Sequence, residues 1–163
     1  MDTKEITVKE GYHAIQASFS TYLDGHQITK DEALEIAYIV NGELQLRDYL
    51  MGMSNDYHND TAKITTWLET VIEAIGEVKM AHPLLTVLAM YYYEAGDTTR
   101  AIIALDLVEG VNPDYSLMKL IRRVIVAGWP QGAVASMRNE LHEKVRAQIL
   151  DSELATSKIR ISK

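Results

Sequence analysis

Two sharp stops within residues 82–130 limit what this chain can fold into more than any other feature. Gly96-Asp97 forms the first stop and Asn112-Pro113 forms the second. Apolar residues recur at spacings of three and four around both stops, which is the pattern of amphipathic helices. Glycine readily adopts the left-handed backbone conformation that ends a helix. Aspartate caps the start of the next helix, and proline cannot continue a helix. The segment therefore predicts three short helices packed as neighbours, the first of them beginning at Pro83.

The same periodicity on both sides of this segment predicts further helices. They are expected over about residues 9–23, 29–41, 43–53, 64–75 and 131–154. Trp67 lies in the most regular stripe, so we expect it in the core. In the last helix we expect the buried stripe to be Val134, Met137, Leu141 and Val145.

We therefore predict an all-α fold of about seven antiparallel helices. One domain is expected over residues 1–155, because a chain of 163 residues can enclose a single sizeable core. Residues 156–163 are predicted to be a frayed basic tail. Arg47 and Asp48 stand together in a mostly apolar helix, and we expect them to form a structural ion pair that ties this helix to its neighbours.

The central segment contains, in order, Ala95-Gly96-Asp97, Ala101 with Ala104-Leu105, and Asn112-Pro113-Asp114-Tyr115. This order of motifs resembles a tetratricopeptide repeat. It implies right-handed packing of antiparallel helix pairs, with Gly96, Asp97 and Pro113 in structural roles.

A wider set of motifs runs over residues 28–130: Ile28-Thr29, Arg47-Asp48, Pro83-Leu84, the repeat-like segment and Ala127-Gly128-Trp129-Pro130. With these motifs the segment is similar to the C-terminal part of the actinobacterial family called domain of unknown function 4192. It implies a helical fold, a structural role for Trp129, and no catalytic residues. Members of the family carry an additional N-terminal region, so we expect this chain to be a truncated relative or one carried by a phage.

The composition limits the class of protein. Hydrophobic residues make up 47% of the chain and charged residues 24%, as in ordinary globular domains. No apolar run approaches the roughly 20 residues that a membrane helix needs. The chain contains no cysteine, which excludes disulfides and cysteine-bound zinc and favours a reducing compartment. We therefore expect a cytoplasmic protein without a membrane partner.

No motif in the sequence predicts catalysis. His142-Glu143 begins like a helical zinc-protease motif, but Arg146 occupies the position of the second histidine. The polar loop around Asp56 and His58 lacks the spacing and the central glycine of a calcium loop. We therefore predict no metal, no cofactor and no enzyme. A deep pocket that gathers Asp56, His58 and another titratable group would favour the enzyme alternative.

Charge is distributed unevenly along the chain. The net charge is −7, but residues 119–163 hold nine basic and only four acidic side chains. The candidate partner-binding residues are Lys119, Arg122, Arg123, Arg138 and Arg146. The first hypothesis is a non-catalytic protein-interaction module that associates with itself or with another protein. The alternative is a nucleic-acid-associated regulatory protein that uses this basic C-terminal third.

Overall fold

The computed structural model describes residues 3–162. Eight α-helices and two short β-strands are present in this part of the chain. Two 3₁₀ turns, Met53–Tyr57 and Glu153–Thr156, each connect two of these elements. In chain order the elements are β1 (Thr3–Thr7), α1 (Val8–Leu23), α2 (Lys30–Gly42), α3 (Leu44–Gly52), α4 (Thr61–Ile75), α5 (Val78–Glu94), α6 (Thr98–Val111), α7 (Ser116–Val126), α8 (Gln131–Asp151) and β2 (Lys158–Ser162). The predicted all-α class is confirmed, and the tetratricopeptide-like packing stays a prediction. No helix among the described residues is long and apolar enough to cross a membrane.

Helix α5 forms the centre of the core because nearly every side of it is apolar. It packs against α2, α3, α4, α6, α7 and α8. Residues Leu84–Tyr91 are all buried, as expected for a helix enclosed by others. Trp67 of α4 is fully buried beside this helix bundle, and its indole N–H donates a 3.1 Å hydrogen bond to Ser18 Oγ of α1.

Helix α5 begins earlier than the sequence predicts. It starts at Val78, so Pro83 lies in its interior and not at its first position. Proline lacks the N–H that would bond to the carbonyl of Lys79, four residues earlier. His82 replaces that donor, because its Nδ1 lies 2.7 Å from the Lys79 oxygen. The carbonyl is therefore satisfied and the helix continues through the proline.

The stop between α5 and α6 has the predicted geometry. Gly96 adopts a φ of +87°, and the Asp97 carboxylate accepts a 3.0 Å hydrogen bond from the Arg100 amide. The second stop differs in detail, since α7 begins at Ser116 and Tyr115, not Asp114, is its capping residue. Pro113 lies in the exposed turn between the two helices.

The C-terminal segment differs from the expected frayed tail. Lys158–Ser162 forms β2, which pairs antiparallel with β1 from Thr3 opposite Ser162 to Thr7 opposite Lys158. Ile159 and Ile161 are buried and β2 packs against α2, while Lys158 and Arg160 are exposed. The segment is ordered because its alternating residues give the strand one apolar face. Lys163 lies outside the described residues.

Candidate functional site

An open groove lies between α7 and α8, with α3 as its floor. Its volume is about 360 Å³. The apolar residues that line it are Met51 of α3, Leu117 and Leu120 of α7, and Met137, Leu141 and Val145 of α8. Leu120 is 41% exposed and Leu141 is 52% exposed, so the groove presents apolar surface to solvent.

Helix α8 is rotated relative to the sequence prediction. Of the stripe predicted for the core, Val134 is buried, whereas Met137, Leu141 and Val145 line the groove. The core side of α8 carries Arg138 and His142, which are 5% and 3% exposed. Two polar side chains thus share the buried side of α8 with Val134 and Ile149. On the groove side Leu141 is exposed, and Met137 and Val145 are half-buried.

Arg138 is held on that buried side by a carboxylate and a hydroxyl. Its Nη2 and Nε lie 2.7 and 2.8 Å from the two carboxylate oxygens of Glu94, and its Nη1 donates a 2.8 Å hydrogen bond to Ser54 Oγ. Burial alone would lower the pKa of Arg138, but the hydrogen bonds and charge of Glu94 outweigh burial and raise the pKa. The arrangement fixes α8 to the end of α5.

His142 belongs to a second buried chain of hydrogen bonds. Its Nε2 lies 2.9 Å from Asp56 Oδ1, and Tyr49 donates a 2.7 Å hydrogen bond to Asp56 Oδ2. Because the carboxylate can only accept, His142 donates this hydrogen bond from Nε2. Burial raises the pKa of the Tyr49 hydroxyl, and the bond to Asp56 raises it further. Both oxygens of Asp56 are therefore used within the protein.

Gly52 makes the close approach of His142 possible. A Cβ at this position would lie 2.5 Å from His142 Nδ1 and 3.0 Å from its Cγ. The atom Nδ1 has no hydrogen-bond partner among the described residues. The Asp56–His142 pair is thus enclosed by neighbouring residues. In this geometry it joins α8 to α3 and to the 3₁₀ turn. His58 is exposed and does not join the pair.

Arg47 and Asp48 line the groove, and Arg47 links α3 to the residue that precedes α7. Arg47 Nη2 is 2.9 Å from Asp48 Oδ1, and Arg47 Nη1 donates a 3.2 Å hydrogen bond to the Tyr115 hydroxyl. Burial would lower the pKa of Arg47, but the hydrogen bond to Tyr115 and the charge of Asp48 raise it. The bond to Tyr115 therefore ties the floor of the groove to the start of its α7 wall.

The five predicted partner-binding cations do not form one free basic face. Arg138 is buried against Glu94, and Arg122 binds Asp106 at 2.6 Å and Glu109 at 3.0 Å on α6. Arg146 lies 3.8 Å from Asp56, and Lys119 lies 3.3 Å from Asp114. Arg123 is exposed and has no carboxylate within 4 Å among residues 3–162. Trp129 is 41% exposed, and its carbonyl accepts from the Tyr93 hydroxyl.

Sequence reasoning missed the buried partners of α8 for an identifiable reason. Arg138 and Glu94 are 44 residues apart, and His142 and Asp56 are 86 residues apart. Helical periodicity reports only which residues share a face, not which distant residues that face meets. The one available signal was the spacing of Val134, Arg138 and His142, which is also helical. Among the described residues there is no group of three or more histidine, aspartate or glutamate side chains that could hold a metal ion.

These features define a fold of the all-α class with an open apolar groove above a buried polar network. A family model described as "Domain of unknown function (DUF4192)" matches residues 2–131, and the chain belongs to this family. The family resemblance drawn from residues 28–130 is thereby confirmed. The match ends at the start of α8, so the groove is built from α3 and α7 inside the matched region and α8 beyond it. Comparison with curated proteins and with solved structures gave no match.

Proposed function

We propose that this protein is a non-catalytic protein-interaction module whose groove binds an amphipathic helix of another protein. The observation that carries the proposal is the orientation of α8. This helix places Arg138 and His142 in the interior and turns Met137, Leu141 and Val145 toward the open groove. Large apolar side chains in a concave surface are the recurring feature of sites that bind a helix.

The length of the groove fits a short helix. Helix α8 lines it from Met137 to Gln148, a distance of about 16 Å at 1.5 Å per residue, or about three turns. A partner helix of that length presents apolar anchors at spacings of three, four and seven residues. Met51 and Met137 supply flexible apolar contacts that adapt to the shape of such anchors.

The exposed cations at the groove favour a partner with acidic residues, because Asp48, the one carboxylate that lines the groove, is paired with Arg47. Lys144 lines the groove and is exposed, and Arg123 follows Leu120 by one helical turn on α7. Neither cation has a carboxylate within 4 Å among the described residues. A helix with acidic residues on its flanks would pair with both, which adds electrostatic attraction to apolar burial.

The nucleic-acid alternative has less support. A phosphate backbone is bound by accessible lysine and arginine side chains. Four of the five candidate cations are instead close to carboxylates of the same chain, namely Lys119, Arg122, Arg138 and Arg146. The cations that remain accessible fit a protein helix better than an extended polyanion.

The experiment is selection from a displayed library of amphipathic helical peptides of about 15 residues, followed by fluorescence anisotropy with the best binder. We expect glutamate-rich sequences to be enriched and binding to weaken as salt is added. Leu141→Asp, at a solvent-exposed position, should abolish binding, whereas the matched variant Val126→Asp, outside the groove, should not. Selection of no saturable binder, or a binder that is insensitive to Leu141→Asp, would contradict the proposal.

A further inference from the structure

A polar pair interrupts the apolar lining of the groove. Asp48 is the one carboxylate among the described residues that line it, and its neighbour on α3, Arg47, lines it as well. Met51, three residues after Asp48, lies on the same side of α3 and supplies an apolar contact. Leu117 of α7 and Val145 of α8 line the two walls. The pair therefore stands among the apolar contacts that a partner helix would bury.

Arg47 binds only one of the two carboxylate oxygens of Asp48. Its Nε and Nη2 lie 3.1 and 2.9 Å from Oδ1. No donor among residues 3–162 bonds to Oδ2, and this oxygen is not among the buried atoms that lack a partner. The Asp48 side chain is 32% exposed. The oxygen Oδ2 is therefore an acceptor that a molecule in the groove can reach.

Arg47 also has hydrogen-bonding capacity to spare. A guanidinium carries five N–H donors. Two of those of Arg47 bond to Oδ1 of Asp48, and one, from Nη1, bonds to the Tyr115 hydroxyl. The remaining two have no acceptor among the described residues. The pair thus presents an acceptor, Oδ2, beside N–H donors.

These bonds limit which side chain of a partner helix can cover the pair. An apolar side chain would remove Oδ2 from solvent and leave it without a hydrogen bond, which weakens binding. A lysine or arginine is disfavoured by the positive charges of Arg47 and Lys144, both of which line the groove. A carboxylate would face the carboxylate of Asp48. The chemistry that fits is a neutral group that donates a hydrogen bond.

We propose that the partner helix carries a carboxamide side chain, asparagine or glutamine, between its apolar anchors, and that this group bonds to the Arg47–Asp48 pair. A carboxamide has a donor and an acceptor on neighbouring atoms, so its N–H can donate to Oδ2 while its carbonyl accepts from Arg47. The inference rests on the proposed function and names a property of the partner. Asp48 is then the residue that selects among apolar helices, because it penalises those without a donor.

The peptides selected from the displayed library give the first test. We expect asparagine or glutamine at one position between the apolar anchors. Its replacement by alanine should weaken binding to the unchanged protein by about tenfold, as for the loss of a hydrogen bond to a charged group. Its replacement by aspartate should weaken binding further, because two carboxylates would then meet. Fluorescence anisotropy measures each affinity, and these comparisons require no variant of the protein.

A double-mutant cycle tests whether the carboxamide bonds to Asp48. Asp48→Ala should bind the selected peptide and its alanine derivative with affinities that agree within about twofold. Asp114→Ala is the matched control, since Asp114 is also paired with a cation, Lys119, but does not line the groove. This control should keep the full preference for the carboxamide. Thermal unfolding of both variants verifies that each is folded.

The outcomes separate this inference from the proposed function. A binder that is lost with Leu141→Asp but has no carboxamide, or whose alanine derivative binds equally well, overturns the inference and leaves the groove proposal standing. A preference for the carboxamide that persists in Asp48→Ala overturns the role of Asp48. Selection of no binder overturns the groove proposal and this inference with it.

Discussion

At the scale of single residues, the glycines of this protein serve two different physical purposes. Gly96 has a φ of +87° with no atom near its missing Cβ, so it is needed for backbone conformation. Gly52 has a φ of −103°, which any residue adopts, but its missing Cβ leaves space for His142. The first purpose could be predicted from the helix stop in the sequence. The second could not, because the ring that fills the space comes from a residue 90 positions later.

Gly52→Ala should destabilise the protein although alanine favours helices. The new methyl group would lie 2.5 Å from His142 Nδ1 and 3.1 Å from its Cβ, so α8 would have to shift away from α3. Such overpacking typically costs about 1–3 kcal/mol, and urea denaturation would measure it. The matched control is Gly132→Ala in the first turn of α8, where the added Cβ meets no atom. Equal stability of the two variants would show that α8 does not lie this close to α3.

At the scale of elements, α8 shows how far helical periodicity can be trusted. The stripe of Met137, Leu141 and Val145 correctly indicated a long helix. It did not indicate which side of the helix is buried, because an apolar stripe can face a core or a groove. The outcome depends on Glu94, Ser54 and Asp56, which stabilise polar residues on the other side of α8.

Arg138→Met should cost about 3–5 kcal/mol in the free energy of unfolding, because it leaves the carboxylate of Glu94 largely buried without its partner. Arg122→Met is the matched control, since Arg122 also binds carboxylates but lies on the surface with Asp106 and Glu109 largely exposed. Exposed ion pairs contribute about 0–1 kcal/mol, so that variant should unfold close to the parent. Thermal and urea unfolding of both proteins would compare them. Similar losses in the two variants would mean that the Arg138 pair is as solvated as the Arg122 pair.

At the scale of the whole molecule, the succession of helices could be predicted from the sequence, whereas the pairing of β1 with β2 could not. Each helix could be read from its own periodicity and its own stops, as with Gly96-Asp97. The pairing of β1 with β2 joins opposite ends of the described chain, and no local pattern reports such a partner. Five residues of alternation in Lys158–Ser162 were available as a signal, but their basic character favoured a solvated tail.

Ile159→Ala should show that β2 belongs to the core. Ile159 is buried and packs near Gly42, where a Cβ would lie 2.5 Å from its Cγ2. Removing a buried isoleucine to alanine costs about 2–5 kcal/mol, and the loss should appear as a lower urea midpoint. Arg160→Ala changes the exposed side of the same strand and should stay within about 0.5 kcal/mol. A parent-like midpoint for Ile159→Ala would restore the frayed-tail interpretation.

The pairing of β1 with β2 also determines how this fold responds to mechanical force. Thr3 is directly opposite Ser162, so a pull on these two residues in opposite directions loads the sheet at one end only. The hydrogen bonds would then break one pair at a time toward Thr7 and Lys158, as a zipper opens, and not all together as in shear. Unfolding under tension would thus begin at the two-stranded sheet. Tension on the chain would expose the buried Ile159 and Ile161 before it reached the helices that pack around α5.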